Sequence, residues 1–86
     1  MNELEKARQE IDEIDASMAV LFEKRMDAVL KIKKYKKENG LPVTDKQREA
    51  EIVSRRTENI KNIAYKPLYK RFIENVIKLS KKLQKS

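Results

Sequence analysis

From Leu4 to Tyr35 the chain places apolar residues at alternating steps of three and four. They are Leu4, Ala7, Ile11, Ile14, Met18 and Leu21, then Ala28, Ile32 and Tyr35, with one interruption at Arg25. This is the heptad spacing of a single packed helix face, and it predicts a first helix over about 2–38. Lysines crowd its last turns, where they suit the helix dipole, and Asn39-Gly40 followed by Pro42 is a strong stop. A second helix is expected to open at Thr44 or Asp45, with Thr44 and Gln47 spaced as a capping box and Asp45 as the competing cap. Its apolar content is thin (Ala50, Ile52, Val53, Ile60), which predicts a surface helix. A third begins near Tyr65–Pro67, with Pro tolerated in the first turn. Tyr65, Leu68, Tyr69, Phe72, Ile73, Val76, Ile77 and Leu83 form its expected buried stripe, continued by the polar pair Ser80 and Gln84. The expectation is an all-α, three-helix chain forming one domain over residues 1–86.

The first helix is too long for the other two to cover. At 1.5 Å per residue it reaches roughly 50 Å, so a second copy is expected to cover its seam. The competing reading is a monomer with a frayed first helix. The flanking g positions read Glu3, Glu10, Ser17, Lys24 and Lys31. A parallel pair would align like charges; an antiparallel pair sets Glu10 near Lys31 of the other copy. An antiparallel homodimer is therefore favoured, although each such exposed pair is worth under about 1 kcal/mol.

Composition narrows the chemistry. The 86 residues contain no Cys and no His, which removes disulfides, thiolate and zinc sites and imidazole catalysis. No stretch approaches a membrane span, and the first residues lack a signal-peptide profile, so a cytoplasmic, membrane-free protein is expected. The net charge is +7, yet residues 1–15 hold six acids and two bases, a sum of −4, leaving +11 for the rest. Such a basic remainder fits either nucleic acid or a small anion.

The interruption at Arg25 bears on that choice. A guanidinium within an oily seam keeps its proton and needs an anion beside it, and no other a or d position of this helix is acidic. Pairing with Glu49, Glu51 or Glu58 is the plain structural answer; a bound anion is the functional one. Lys36 stands eleven residues on, about three turns away at nearly the same azimuth, with Cα atoms roughly 16 Å apart. The two could grip opposite ends of one small molecule. Arg8 lies on the same broad face but roughly 42 Å from Lys36 along the helix, so only antiparallel pairing would bring it to the site, from the other copy. Asp45, Arg48 and Glu49 must turn back near the end of the first helix, and Ser80 and Gln84 could line another wall. The set has several cations, one acid and neutral donors, and no nucleophile with a base beside it.

These residues carry a resemblance over the whole chain. Arg8 precedes Ile11-x-x-Ile14-Asp15; Leu21-x-x-x-Arg25, Lys31-x-x-Lys34-x-Lys36, Pro42-Val43-x-Asp45-x-x-Arg48-Glu49 and Ser80-x-x-x-Gln84 follow. Together they are similar to the all-helical (AroQ-type) chorismate mutases, which are intertwined dimers of three-helix chains. The resemblance implies conversion of chorismate to prephenate by an intramolecular Claisen rearrangement, with no cofactor and no metal. It implies that Arg25 and the partner's Arg8 clamp two carboxylates, with Ser80 and Arg48 assisting. It further implies that Lys36 and Gln84 donate to the breaking ether oxygen, while Glu49 and the Asp45 region hold the ring hydroxyl. Three other functions stay open: an isochorismate pyruvate-lyase of the same fold, a basic helical nucleic-acid-binding module, and a coiled-coil adaptor. Few aromatic residues and an acidic start argue against nucleic acid as a partner.

Overall fold

A computed structural model describes residues 1–86, and the chain is all-α. Helix α1 spans Glu3–Glu38, α2 Lys46–Glu58 and α3 Lys66–Lys85. A 3-10 turn at Ile63–Tyr65, capped by Asn62, leads into α3 and places Pro67 in its first turn. No helix is long and apolar enough to cross a membrane.

Local chemistry sets each boundary. Asn2 caps α1 by accepting from the Glu5 N–H at 2.8 Å. At the other end Gly40 takes φ +63°, and the Leu41 N–H bonds back to the Lys36 carbonyl at 2.8 Å. That 6→1 bond across a left-handed glycine is a Schellman ending. It turns the chain sharply enough to return residues 43–45 to the side of α1. The α2 cap is Asp45, whose Oδ1 accepts from the Arg48 N–H at 3.0 Å. Glu49 answers with Oε2, which accepts from the Asp45 N–H at 3.3 Å. The Thr44–Gln47 capping box is thus set aside in favour of Asp45, whose shorter carboxylate carries full charge at the helix N-terminus.

Helix α3 packs against both α1 and α2. Ile73, Val76 and Ile77 form the buried centre, with Ile52, Val53 and Tyr69 against them, and α1 contributes the buried Val29. The α1 contact differs from the expected seam. Arg25, Met26, Val29, Lys33 and Lys36 are shielded, whereas Ala28, Ile32 and Tyr35 are exposed. Helix α3 therefore lies along one flank of the heptad stripe and leaves Ala28, Ile32 and Tyr35 outside. The α3 stripe is corrected too: Tyr65, Leu68 and Phe72 are exposed, and Phe72 meets Met18, Leu21 and Phe22 of α1 only across an open groove.

The N-terminal half of α1 has no cover at all. Leu4, Ile11, Ile14, Met18 and Leu21 are exposed, on a helix of 36 residues in a molecule 56 Å long. The radius of gyration is 16.2 Å, against about 12 Å for a compact chain of this length. The accessible surface is 7369 Å², against about 5,300 Å² for a compact monomer of this mass. One chain alone leaves a large apolar face in water.

Candidate active site

The cationic residues meet where the end of α1, the 41–45 loop, the start of α2 and the last turns of α3 converge. Arg25 and Lys36 lie at the two ends of a cavity of about 290 Å³, with Ala28, Val29 and Ile32 between them on α1. Asp45, Arg48 and Glu49 line it from the loop and α2; Ser80, Lys81 and Gln84 line it from α3. Seven of the eight residues singled out in the sequence are thus brought to one place. The eighth, Arg8, is exposed near the start of α1, roughly 26 Å along the helix from Arg25.

Arg25 has no acid within ion-pair reach. Its Nη1 donates to Ser80 Oγ, and that buried hydroxyl donates onward to the Val76 carbonyl at 2.8 Å. Burial pushes the guanidinium below its ordinary value; Tyr69 opposes this and the neighbouring Arg48 adds to it. Desolvation and a second cation both disfavour the charge, yet an arginine stays protonated in any working range. Of the three acids that could have neutralised it, Glu51 pairs with Arg55 at 3.0 Å and Glu49 with Lys81 at 3.1 Å, while Glu58 lines the groove between α2 and α3, outside the cavity.

Lys36 is also held without an acid. Its Nζ donates to the Val43 carbonyl at 2.8 Å and to Gln84 Oε1 at 3.0 Å. Two of three ammonium protons are used, leaving one for a ligand. The Schellman ending on the Lys36 carbonyl is what returns Val43 to its own side chain. Because the Gln84 oxygen accepts from Lys36, its NH₂ is left as a free donor on a residue that lines the cavity.

Asp45 and Glu49 already have protein partners. Asp45 accepts at the α2 cap, and Glu49 bridges that cap and Lys81. Each carboxylate retains lone pairs for a ligand hydroxyl. Lys81 is the residue that reasoning from the sequence missed. Its helical register with Ile77, Ser80 and Gln84 carried the signal, but it sits in a lysine-rich tail where such residues are usually solvated. The Val43 carbonyl was invisible as well, because a backbone group carries no sequence signature.

Counting the lining side chains, Arg25, Lys36, Arg48 and Lys81 oppose Asp45 and Glu49, which leaves a net charge of +2. The arrangement offers donors at both ends and no nucleophile–base pair. It suits a small dianion that is positioned and stabilised without covalent attack.

The cavity is also open along one side. A second, largely apolar groove of about 440 Å³ runs between α1 and α3 past Met18, Leu21, Phe22 and Phe72, and it shares Arg25, Arg48 and Ile52 with the cationic cavity.

Known proteins bear on this geometry. Among solved structures, a conserved hypothetical protein from Pyrococcus furiosus has 32% identity to the chain with a TM-score of 0.77, covering 98% of this chain and 97% of that one. No curated protein matches the chain. The family model described as chorismate mutase type II matches residues 7–85, a span from the first exposed turns of α1 to the last turn of α3. With the all-helical fold and the acid-free cation pocket inside that span, the chain belongs to the chorismate mutase type II family.

Proposed function

We propose that the chain is a chorismate mutase, acting as an antiparallel intertwined homodimer in which Arg8 of the partner subunit completes each site. The observation that carries this reading is the convergence of Arg25, Lys36 and Arg48 on one cavity with no carboxylate in an ion pair with any of their side chains. Their missing counter-charge matches a substrate with two carboxylates.

In the rearrangement the ether C–O bond breaks while a new C–C bond forms, within one molecule. No proton is transferred and no group leaves, so the protein needs neither an acid–base pair nor a nucleophile. It must hold the folded conformer, and it must stabilise the negative charge that grows on the ether oxygen. Arg25 and the partner's Arg8 would grip the two carboxylates, and Arg48 would add charge. Ser80 would orient Arg25 through its hydroxyl. The remaining proton of Lys36 and the NH₂ of Gln84 would donate to the ether oxygen, and Glu49 with the Asp45 cap region would receive the ring hydroxyl.

The uncovered face supports the dimer. Each chain exposes about 2,000 Å² beyond the compact expectation, so a pair would bury on the order of 4,000 Å², within the range of obligate homodimers. The apolar groove beside Arg25 is where a second α1 would lie, its polar edge reaching the cavity. Light scattering is expected to give twice the 10.2 kDa chain mass. Ile14→Glu, on the exposed seam and remote from the cavity of its own chain, is expected to abolish both that mass and turnover; a monomer of full activity would end the shared-site model.

The direct test is loss of chorismate absorbance with purified protein, followed by identification of the product. Prephenate is expected. Release of pyruvate from isochorismate alone would assign the lyase instead, and no turnover of either compound would defeat the proposal.

Gln84 yields a pH prediction. An amide donates at any pH, so the kcat profile is expected to stay flat from about pH 5 to pH 8. In Gln84→Glu the side chain donates only while protonated, and once ionised it would pair with Lys36 and oppose charge on the ether oxygen. Its activity should fall as pH rises, and recover in acid. A wild-type profile that itself fell across this range would remove Gln84 from the ether oxygen.

A further inference from the structure

The cavity holds a single ion pair, and that pair forms its outer wall. Glu49 and Lys81, together with Ile77, line the cationic cavity on one side and a wider open groove between α2 and α3 on the other. Both side chains are about three-quarters buried, with 28% of Lys81 and 25% of Glu49 exposed. The two Glu49 oxygens have separate anchors: Oε1 accepts from Lys81 Nζ at 3.1 Å and Oε2 from the Asp45 N–H at 3.3 Å. One anchor joins α2 to α3, and the other joins it to the helix cap.

A glutamate held at one oxygen still rotates about its terminal torsion. Anchored at both, it presents its remaining lone pairs in a fixed direction. The Lys81 ammonium also sets the charge of the wall. Without it the lining would balance Arg25, Lys36 and Arg48 against Asp45 and Glu49, a net of +1; with it the net is +2.

Resting on the mutase reading, we propose that Lys81 is a positioning residue of this site. It fixes the Glu49 carboxylate against the α2 cap so that Glu49 meets the substrate's ring hydroxyl in one orientation. It acts through Glu49 and has no contact of its own with the reacting atoms. The assignment draws on its placement between the two cavities and on the paired anchors of Glu49.

The test uses the full chain with Lys81→Met, which keeps the stem and removes the charge, and Lys81→Arg, which keeps the charge. Each is made alone and in a Glu49→Gln background. Lys81→Met is expected to raise KM for chorismate about tenfold with a smaller change in kcat, the size of losing one charge-assisted orienting contact. Lys81→Arg should restore most of that loss, and Lys81→Met should add nothing once Glu49 is Gln. The Asp45 backbone amide resonance reports the second anchor without any substrate; it should shift in Lys81→Met and return in Lys81→Arg. An unmoved Asp45 amide, or an equal KM effect in the Glu49→Gln background, would overturn the proposal. A wild-type protein inert toward chorismate would defeat the mutase reading, and the Asp45 amide would then decide by itself whether Lys81 positions Glu49.

Discussion

Replacing Lys36 with alanine is expected to lower kcat by about 10²–10³-fold, the usual cost of removing one preorganised donor from a developing oxyanion. The size follows from how Lys36 is held. Its ammonium is tied to the Val43 carbonyl and to Gln84 Oε1, so its free proton is aimed before the substrate arrives and no reorganisation is needed as charge grows. Loss of the ammonium also releases Val43 and frees the Gln84 amide to rotate, so the second donor is disturbed with the first. The interaction strengthens only as the C–O bond lengthens, and the loss should therefore appear in kcat more than in KM. Steady-state kinetics on chorismate, with circular dichroism to confirm the helical fold, make the measurement. A Lys36→Ala protein within a few-fold of wild type would remove Lys36 from the reacting centre.

The second large effect is a recovery. Arg8→Ala and Arg25→Ala are each expected to be nearly inactive, Arg25 because a buried cation that grips a carboxylate is lost. Removing one partner of such a contact typically costs about 30-fold or more in kcat/KM. Arg8 is exposed and distant within its own chain, so its effect would have no explanation in a monomer. Unfolding and refolding the two variants together should restore about a quarter of wild-type activity. Half the dimers would be mixed, and each mixed dimer would hold one site with both arginines intact and one with neither. Zero recovery in the mixture, with dimers present, would show that Arg8 and Arg25 do not serve a common site. Full activity of Arg8→Ala alone would show that the first turns of α1 are remote from the chemistry.

Both predictions depend on charges that the fold leaves unpaired. Exposed pairs such as Lys6–Glu3 and Arg55–Glu51 satisfy themselves locally and are worth little. Arg25 and Lys36 are placed where no acid reaches them, next to neutral acceptors that orient them without cancelling their charge. Burial already disfavours the Arg25 cation, and a dianionic ligand would relieve that cost. Substrate binding and stabilisation of the site would thus be the same interaction.

Much of this was legible in the residues themselves. Helix limits follow from local signals: the Asn39-Gly40 stop and the Pro67 start act within a few residues, through backbone groups that must be satisfied wherever the helix sits. Arg25 announced itself by breaking an otherwise apolar seam, and its eleven-residue interval to Lys36 is a property of the helix alone. Other features depended on how helices meet. Helix α3 settled against Val29 and Lys36 and left Ala28 and Tyr35 in water, because a heptad stripe says which residues are apolar but not which neighbour covers each edge. Thr44 and Asp45 were both able to cap α2; the answer came from Glu49 reaching back to Asp45 while Lys81 held its other oxygen. Periodicity and capping are short-range physics and can be read along a chain, whereas the identity of a side chain's partner across 30 or 50 residues is set only when the helices pack.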